Sequence, residues 1–190
     1  MKHLYLFITL TILICSCKSE NETNENTISE WIGKNVIFPS DIQSSNYNSL
    51  KENKINLDKE FKVLTYIDSI GCIACKLKMH LWKDLIKEFE DVTKDNISFI
   101  FIINSNNYKE INYILKESDF KYPVIFDKKD SFNQKNKFPS NIKLQTFLLN
   151  KNNNVILIGN PILNPTIKEL YLKQISKENT YQTSLTKKIN

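Results

Sequence analysis

The chain has 190 residues, 41% of them hydrophobic, enough for one domain with a buried core. All 26 basic residues are lysine, and the net charge of +5 is spread along the chain without a dense basic block. Without arginine there is no bidentate reader of guanine or phosphate, so no nucleic-acid partner is indicated and the lysines read as a solvated surface.

Lys2 precedes an apolar run from Leu4 to Ile14. The run is shorter than the roughly 20 residues that cross a bilayer, and it fits the h-region of a secretory signal. Ile14-Cys15-Ser16-Cys17 resembles a bacterial lipobox: an aliphatic residue, a variable one, a small one, then cysteine. Cys15 fits less well, because bulky Ile14 would take the small-residue place. The resemblance implies a signal peptide over 1–16, cleavage before Cys17 and lipid attachment at Cys17. An ordinary cleaved signal or an uncleaved anchor is the alternative. Acyl chains on Cys17 would hold the protein to a membrane. Lys18 to Thr27 contains no apolar residue. Residues 17–30 are therefore expected as a flexible tether and 31–190 as a single domain. Lys18, Ser19 and Glu20 loosely resemble the charged surface-export signals of Bacteroidetes lipoproteins.

Trp31 to Pro39 is a lead-in segment, with Val36-Ile37-Phe38 expected as an edge strand. Ile42 to Asn56 is polar and poorly periodic. Phe61 to Ile67 is rich in strand formers. Cys72 to Phe89 has a helical pattern. Ile97 to Ile103 is nearly continuous apolar, as in a strand covered on both faces. Tyr108 to Lys116 reads as a helix, with Ile111 and Ile114 or Leu115 facing inward. Pro123 to Phe126 is a short strand. Asp127 to Asn141 is a polar loop with one helical turn near Phe132. Thr146 to Leu149 and Val155 to Ile158 are strands, joined by Asn150-Lys151-Asn152-Asn153-Asn154, which tolerate left-handed turn conformations. Asn164-Pro165 opens a last helix, which is expected to end near Ile175 and to turn Leu170 inward.

This order, β-α-β-α-β-β-β-α, demands parallel strands in its strand–helix–strand units and an antiparallel final hairpin. The expected class is α/β, a mixed central sheet with helices on both faces. Cys72 and Cys75 then lie at the end of the first parallel strand, where open α/β sheets place their sites.

Cys72-Ile73-Ala74-Cys75 is the chemistry-bearing motif. With Cys15 removed and Cys17 capped, it is the one pair able to form an intrachain bridge, and such a bridge persists outside the cytoplasm. A helix start stabilises a thiolate, and a second thiol one turn on can resolve a mixed disulfide. At about 100° per residue, Cys75, Met79, Trp82, Ile86 and Phe89 share one apolar stripe. Lys76, His80, Lys83, Asp84, Lys87 and Glu88 take the other side. Cys75 is therefore expected in the core and Cys72 in the exposed first turn. A structural cysteine beside a chance surface one is the plain alternative. A metal reading is weaker, because one such pair is half a zinc site and His80 is poorly aimed to join it. No metal and no cofactor are expected.

The strand–Cys-x-x-Cys-Lys–helix junction and the run Thr146-Phe147-Leu148-Leu149-Asn150 resemble the thioredoxin-like family. The likeness is nearest to its membrane-anchored extracytoplasmic branch, similar to the TlpA and ResA types, and covers about Phe61 to the C-terminus. It implies a nucleophilic Cys72 and a resolving Cys75. Three positions depart from the family. Its cis-proline falls on Leu144, followed by Gln145, where a cis bond would cost about 2.5–4 kcal/mol, so a trans loop is expected; Pro139 substitutes only if the loop shifts. The aromatic residue before the first cysteine is Gly71. The buried acid falls on Tyr66, with Asp68 nearer but at the strand end.

Together these readings point to a lipid-anchored thiol–disulfide oxidoreductase of the cell envelope. It would act as a monomer on envelope proteins with thiols or disulfides. Ile73 and Ala74 bring no charge to the pair, which favours a reductant or slow exchanger over a strong oxidant. The alternative is a non-catalytic binding module that keeps the cysteines as a fixed bridge. A peroxidase is a weaker third reading, since Ser69 stands where a Thr-x-x-Cys pattern would need threonine.

Overall fold

The computed structural model describes residues 20–39, 44–45, 55–93 and 96–189. The expected signal peptide, Cys17 and its lipid lie outside the described residues. Among the described residues, six strands form one sheet in the order β1-β4-β3-β2-β5-β6: β1 (Ser44–Ser45), β2 (Phe61–Ile67), β3 (Ile97–Ile103), β4 (Val124–Phe126), β5 (Thr146–Leu149) and β6 (Val155–Ile158). β2 pairs parallel with β3 in full register, Phe61 to Ile97 through Ile67 to Ile103, and β3 pairs parallel with β4. β5 runs antiparallel to both β2 and β6, and β1 antiparallel to β4. This is the expected mixed sheet.

The helices are α1 (Glu20–Trp31), α2 (Ile73–Leu77), α3 (Met79–Thr93), α4 (Tyr108–Glu117), α5 (Ser131–Asn136) and α6 (Pro165–Ile189). Side-chain alternation along the strands splits the core in two. Phe61, Val63 and Ile67 of β2 and Ile97, Phe99, Phe101 and Ile103 of β3 face one layer, with Ile73, Leu77, Trp82, Leu115 and Tyr171. Leu64, Tyr66, Ile100 and Ile102 face the other, with Trp31, Phe132, Phe138 and Leu144. Alternation puts Lys62 on the second face, where it is fully buried. Its ammonium donates to the carbonyls of Leu57, Lys59 and Lys151 at 3.0, 3.3 and 2.8 Å, which gives all three of its protons a partner.

Several expectations need correction. The polar stretch expected as a tether is helical from Glu20, because Ile28 and Trp31 anchor its end. Trp31 stacks on Phe138 and tilts against Phe147, with centroids 5.4 and 4.7 Å away. Val36-Ile37-Phe38 is not a strand. A lone bridge joins Asn35 to Asn154, and the Asn136 side chain takes both the N–H and the carbonyl of Ile37, so no strand neighbour is needed there. The final helix runs past Ile175 to Ile189, and Leu170 is exposed while Tyr171 and Ile175 are buried. The inward face was displaced by one residue, because Tyr171 donates its hydroxyl to the buried Gly159 carbonyl at 2.9 Å. β1 had no sequence signal at all, being two serines inside a polar stretch.

Candidate active site

β2 delivers the chain to the site. It ends at Ile67, and the Asp68 carboxylate then accepts the Ile70 N–H at 2.9 Å, closing a tight turn. Gly71 follows at φ +75°, a left-handed conformation that its missing Cβ permits. The turn places Cys72 at the cap of α2, where its sulfur accepts the Cys75 N–H at 3.2 Å. Cys72 and Cys75 are joined in a disulfide, with their Cα atoms 5.3 Å apart.

The structure brings the two predicted cysteines together and corrects their burial. Cys72 is exposed, as expected, but Cys75 is exposed too. The helix breaks at Lys78, which takes a left-handed φ of 39°. The stripe read through Met79, Trp82, Ile86 and Phe89 is buried as expected, but it belongs to α3 alone. Before the break the phase differs: Ile73 and Leu77, one turn apart, hold α2 to the core and turn Cys75 outward.

Around the disulfide lies a polar clasp. Lys76 makes an ion pair with Asp68, both side chains being 15% exposed. The Gln145 amide donates to the other Asp68 oxygen at 3.0 Å and to the Pro139 carbonyl at 2.9 Å. Burial pushes the Asp68 carboxyl up, but hydrogen bonds from Gln145 and Lys76 outweigh it and hold the group below the usual carboxylate range. The clasp thus joins the end of β2, helix α2 and the loop before β5. Sequence reading placed Asp68 at the strand end, where it lies, but gave Lys76 to solvent and assigned Gln145 no role.

The positions that depart from the family pattern behave as their chemistry requires. The described residues contain no cis peptide bond, so Leu144 is trans as expected, with its side chain buried. Tyr66 lies on the opposite sheet face from Ile73 and Leu77 and donates its hydroxyl to Asp130 at 2.6 Å. Burial first, then that bond to a carboxylate, pushes its ionisation far above the usual tyrosine range, so it stays protonated. Beside the cysteines, an open, mostly apolar groove lies between the α2–α3 junction and α4. Met79 and Ile114 line it, with Cys75, His80, Tyr113 and Glu117 exposed along it.

Neither a protein-family model nor a curated protein sequence matches the chain. Solved structures do. The thioredoxin domain of a thiol-disulfide oxidoreductase from Bacteroides vulgatus is 10% identical, with a TM-score of 0.53 over 73% of this chain and 96% of that one. A protein from Bacteroides thetaiotaomicron, described as a candidate protein disulfide isomerase, is 12% identical, with a TM-score of 0.54 over 77% of this chain and 88% of that one. A candidate thiol:disulfide interchange protein, DsbE, from Chlorobium tepidum is 17% identical, with a TM-score of 0.52 over 76% of this chain and 94% of that one. The fold is thioredoxin-like.

Proposed function

We propose that this chain is a thiol–disulfide oxidoreductase of the cell envelope, held to a membrane through lipid on Cys17 and exchanging disulfides with envelope proteins. One observation carries the reading: the exposed Cys72–Cys75 disulfide caps a helix at the end of the central strand β2. In the reduced protein the Cys72 thiolate attacks a substrate disulfide. A Cys72–substrate bond forms, and the substrate's other sulfur leaves as a thiolate. Cys75, having given its proton to water, then attacks Cys72, closes the bridge and releases the substrate as a dithiol. The Cys75 N–H, which donates to Cys72 Sγ in the bridged protein, is placed to favour a Cys72 thiolate once the bridge opens.

The test compares wild type with Cys72→Ser in insulin disulfide reduction and in the redox equilibrium with glutathione. Wild-type rates no higher than the variant's would remove the proposal. A second reading, a binding module with a fixed bridge, draws on the trans loop at Leu144 and the absence of an acid at Tyr66. It predicts a pair that stays oxidised under reductant, so rapid cycling with dithiothreitol excludes it. Labelling of Cys17 by a palmitate analogue in expressing cells, and its loss in Cys17→Ser, checks the anchor.

A further inference from the structure

Helix α1 has a direction, and it fixes which end of the domain lies nearest Cys17. Asn24, Thr27 and Ile28 are half-buried and Trp31 is buried, a spacing of three to four residues that lays one face of the helix on the domain. The chain just after α1 meets the hairpin end of the sheet. There Gly33 donates its N–H to the Val155 carbonyl at 2.8 Å, and Val36 to the Asn153 carbonyl at 2.9 Å. Asn24, near the helix start, meets the other end. The Asn141 side-chain amide donates to the Asn24 side-chain oxygen at 2.9 Å, and the loop carrying Asn141 reaches the cysteine helix through the clasp of Gln145, Asp68 and Lys76. Strand β5 has the matching polarity: Thr146 pairs with Thr65 near the end of β2, and Leu149 with Lys62 near its start. The 12 residues of α1 rise about 18 Å, and the seven of β2 about 23 Å. The helix therefore runs from the disulfide end of the sheet to the hairpin end.

The chain from Cys17 to Glu20 reaches at most about 11 Å, and the helix rises about 6 Å from Glu20 to Asn24. Lipid on Cys17 therefore lies nearer the disulfide end than the hairpin end. A freely jointed tether would leave the domain's orientation open; a seated helix restricts it. On the anchored redox reading above, we infer that the disulfide end of the domain faces the lipid layer, and that the Cys72–Cys75 pair exchanges with protein thiols and disulfides held at the bilayer surface. The exchange balances: two surface thiols are oxidised to one disulfide through a mixed disulfide, the bridge is reduced to two thiols, and two protons pass through water to Cys72 and Cys75.

The experiment takes full-length protein from expressing cells, verifies lipid on Cys17 by mass, and reconstitutes it in phosphatidylcholine vesicles. A fluorophore is attached through p-azidophenylalanine in place of Ile142, in the loop at the disulfide end, or of Asn152, in the hairpin turn, both exposed positions. Lipid with a nitroxide on its headgroup is expected to quench the label at position 142 about two-fold more strongly, since roughly a strand length, about 20 Å, separates the two ends. Equal quenching, or more at position 152, overturns the inference and leaves the redox reading standing. Absence of lipid on Cys17 overturns the anchoring reading and this inference together, while the insulin assay still decides the redox one. In a second arm the vesicles contain lipid with a thiol headgroup, which is expected to reduce the bridge, as read by maleimide labelling of Cys72 and Cys75. A bridge closed to lipid thiols but opened by dithiothreitol overturns the inference alone. One that resists both overturns the redox reading as well.

Discussion

Replacing Asp68 by asparagine tests whether the polar clasp sets the stability of the site. The carboxylate accepts from Lys76, Gln145 and the Ile70 N–H. Asparagine keeps the oxygen that serves Ile70 and Lys76, but turns an NH2 toward the Gln145 amide donor. It also leaves the Lys76 ammonium, 15% exposed, without its counter-charge. A hydrogen bond to a charged group contributes about 1.5–3 kcal/mol, and stranding a partly buried charge adds to the loss, so D68N should cost roughly 2–4 kcal/mol. For a domain of this size that is a fall of roughly 4–16 °C in Tm. The pH dependence has a definite sign. The folded carboxyl sits below its ordinary range, so its contribution is complete above the unfolded value of about 3.9 and is lost as pH falls through the lower folded value. The gap between wild type and D68N should stay constant through neutral pH and close in acid, below about pH 4. Urea melts of the oxidised protein, followed by the fluorescence of buried Trp31 and Trp82, measure the gap at neutral and acid pH. Equal stabilities at pH 7, within about 0.5 kcal/mol, or a gap that persists unchanged in acid, would refute this account of the clasp.

Three other substitutions probe the frame. Tyr66→Phe removes the bond to Asp130 and should cost about 1.5–3 kcal/mol, yet leave exchange rates unchanged, since the ring lies across the sheet from the helix that carries the cysteines; a slowed insulin assay would contradict this. The same tyrosine ionises far above its usual range when folded, so its contribution is complete below the unfolded value of about 10 and lost as pH rises beyond it, which alkaline melts of Tyr66→Phe and wild type compare. Trp31→Ala should cost about 3–5 kcal/mol and expose α1 to limited proteolysis, because Trp31 is the side chain that seats the helix end on Phe138 and Phe147. Gly159→Ala puts a Cβ at a φ of +128° and 3.1 Å from the Ile167 side chain, and should lower Tm through both strain and the loosened start of α6; an unshifted Tm would deny that contact.

Much of this architecture was legible in linear order. The run Ile97–Ile103 is apolar at every position but Ser98, as a strand covered on both faces requires, and its bounds match the structure residue for residue. The asparagine-rich turn behaved as its composition demands: Asn150 accepts from the N–H groups of Asn152 and Asn154, and Asn153 takes a positive φ. The reading failed where a local pattern was extended across a break. The stripe ending at Cys75 assumed one helix through Lys78, and a left-handed residue there returned Cys75 to solvent. It failed also where a distant side chain met a backbone need, as when Asn136 satisfied Ile37.

The strands β2 to β6 and their order, the two-faced sheet and the closeness of Cys72 to Cys75 were determined by local sequence, since periodicity and spacing act between neighbours along the chain. The exposure of Cys75, the Asp68–Lys76–Gln145 clasp and the seating of α1 were decided only in three dimensions. Each depends on groups far apart in the chain, or on a backbone turn whose handedness tertiary packing selects.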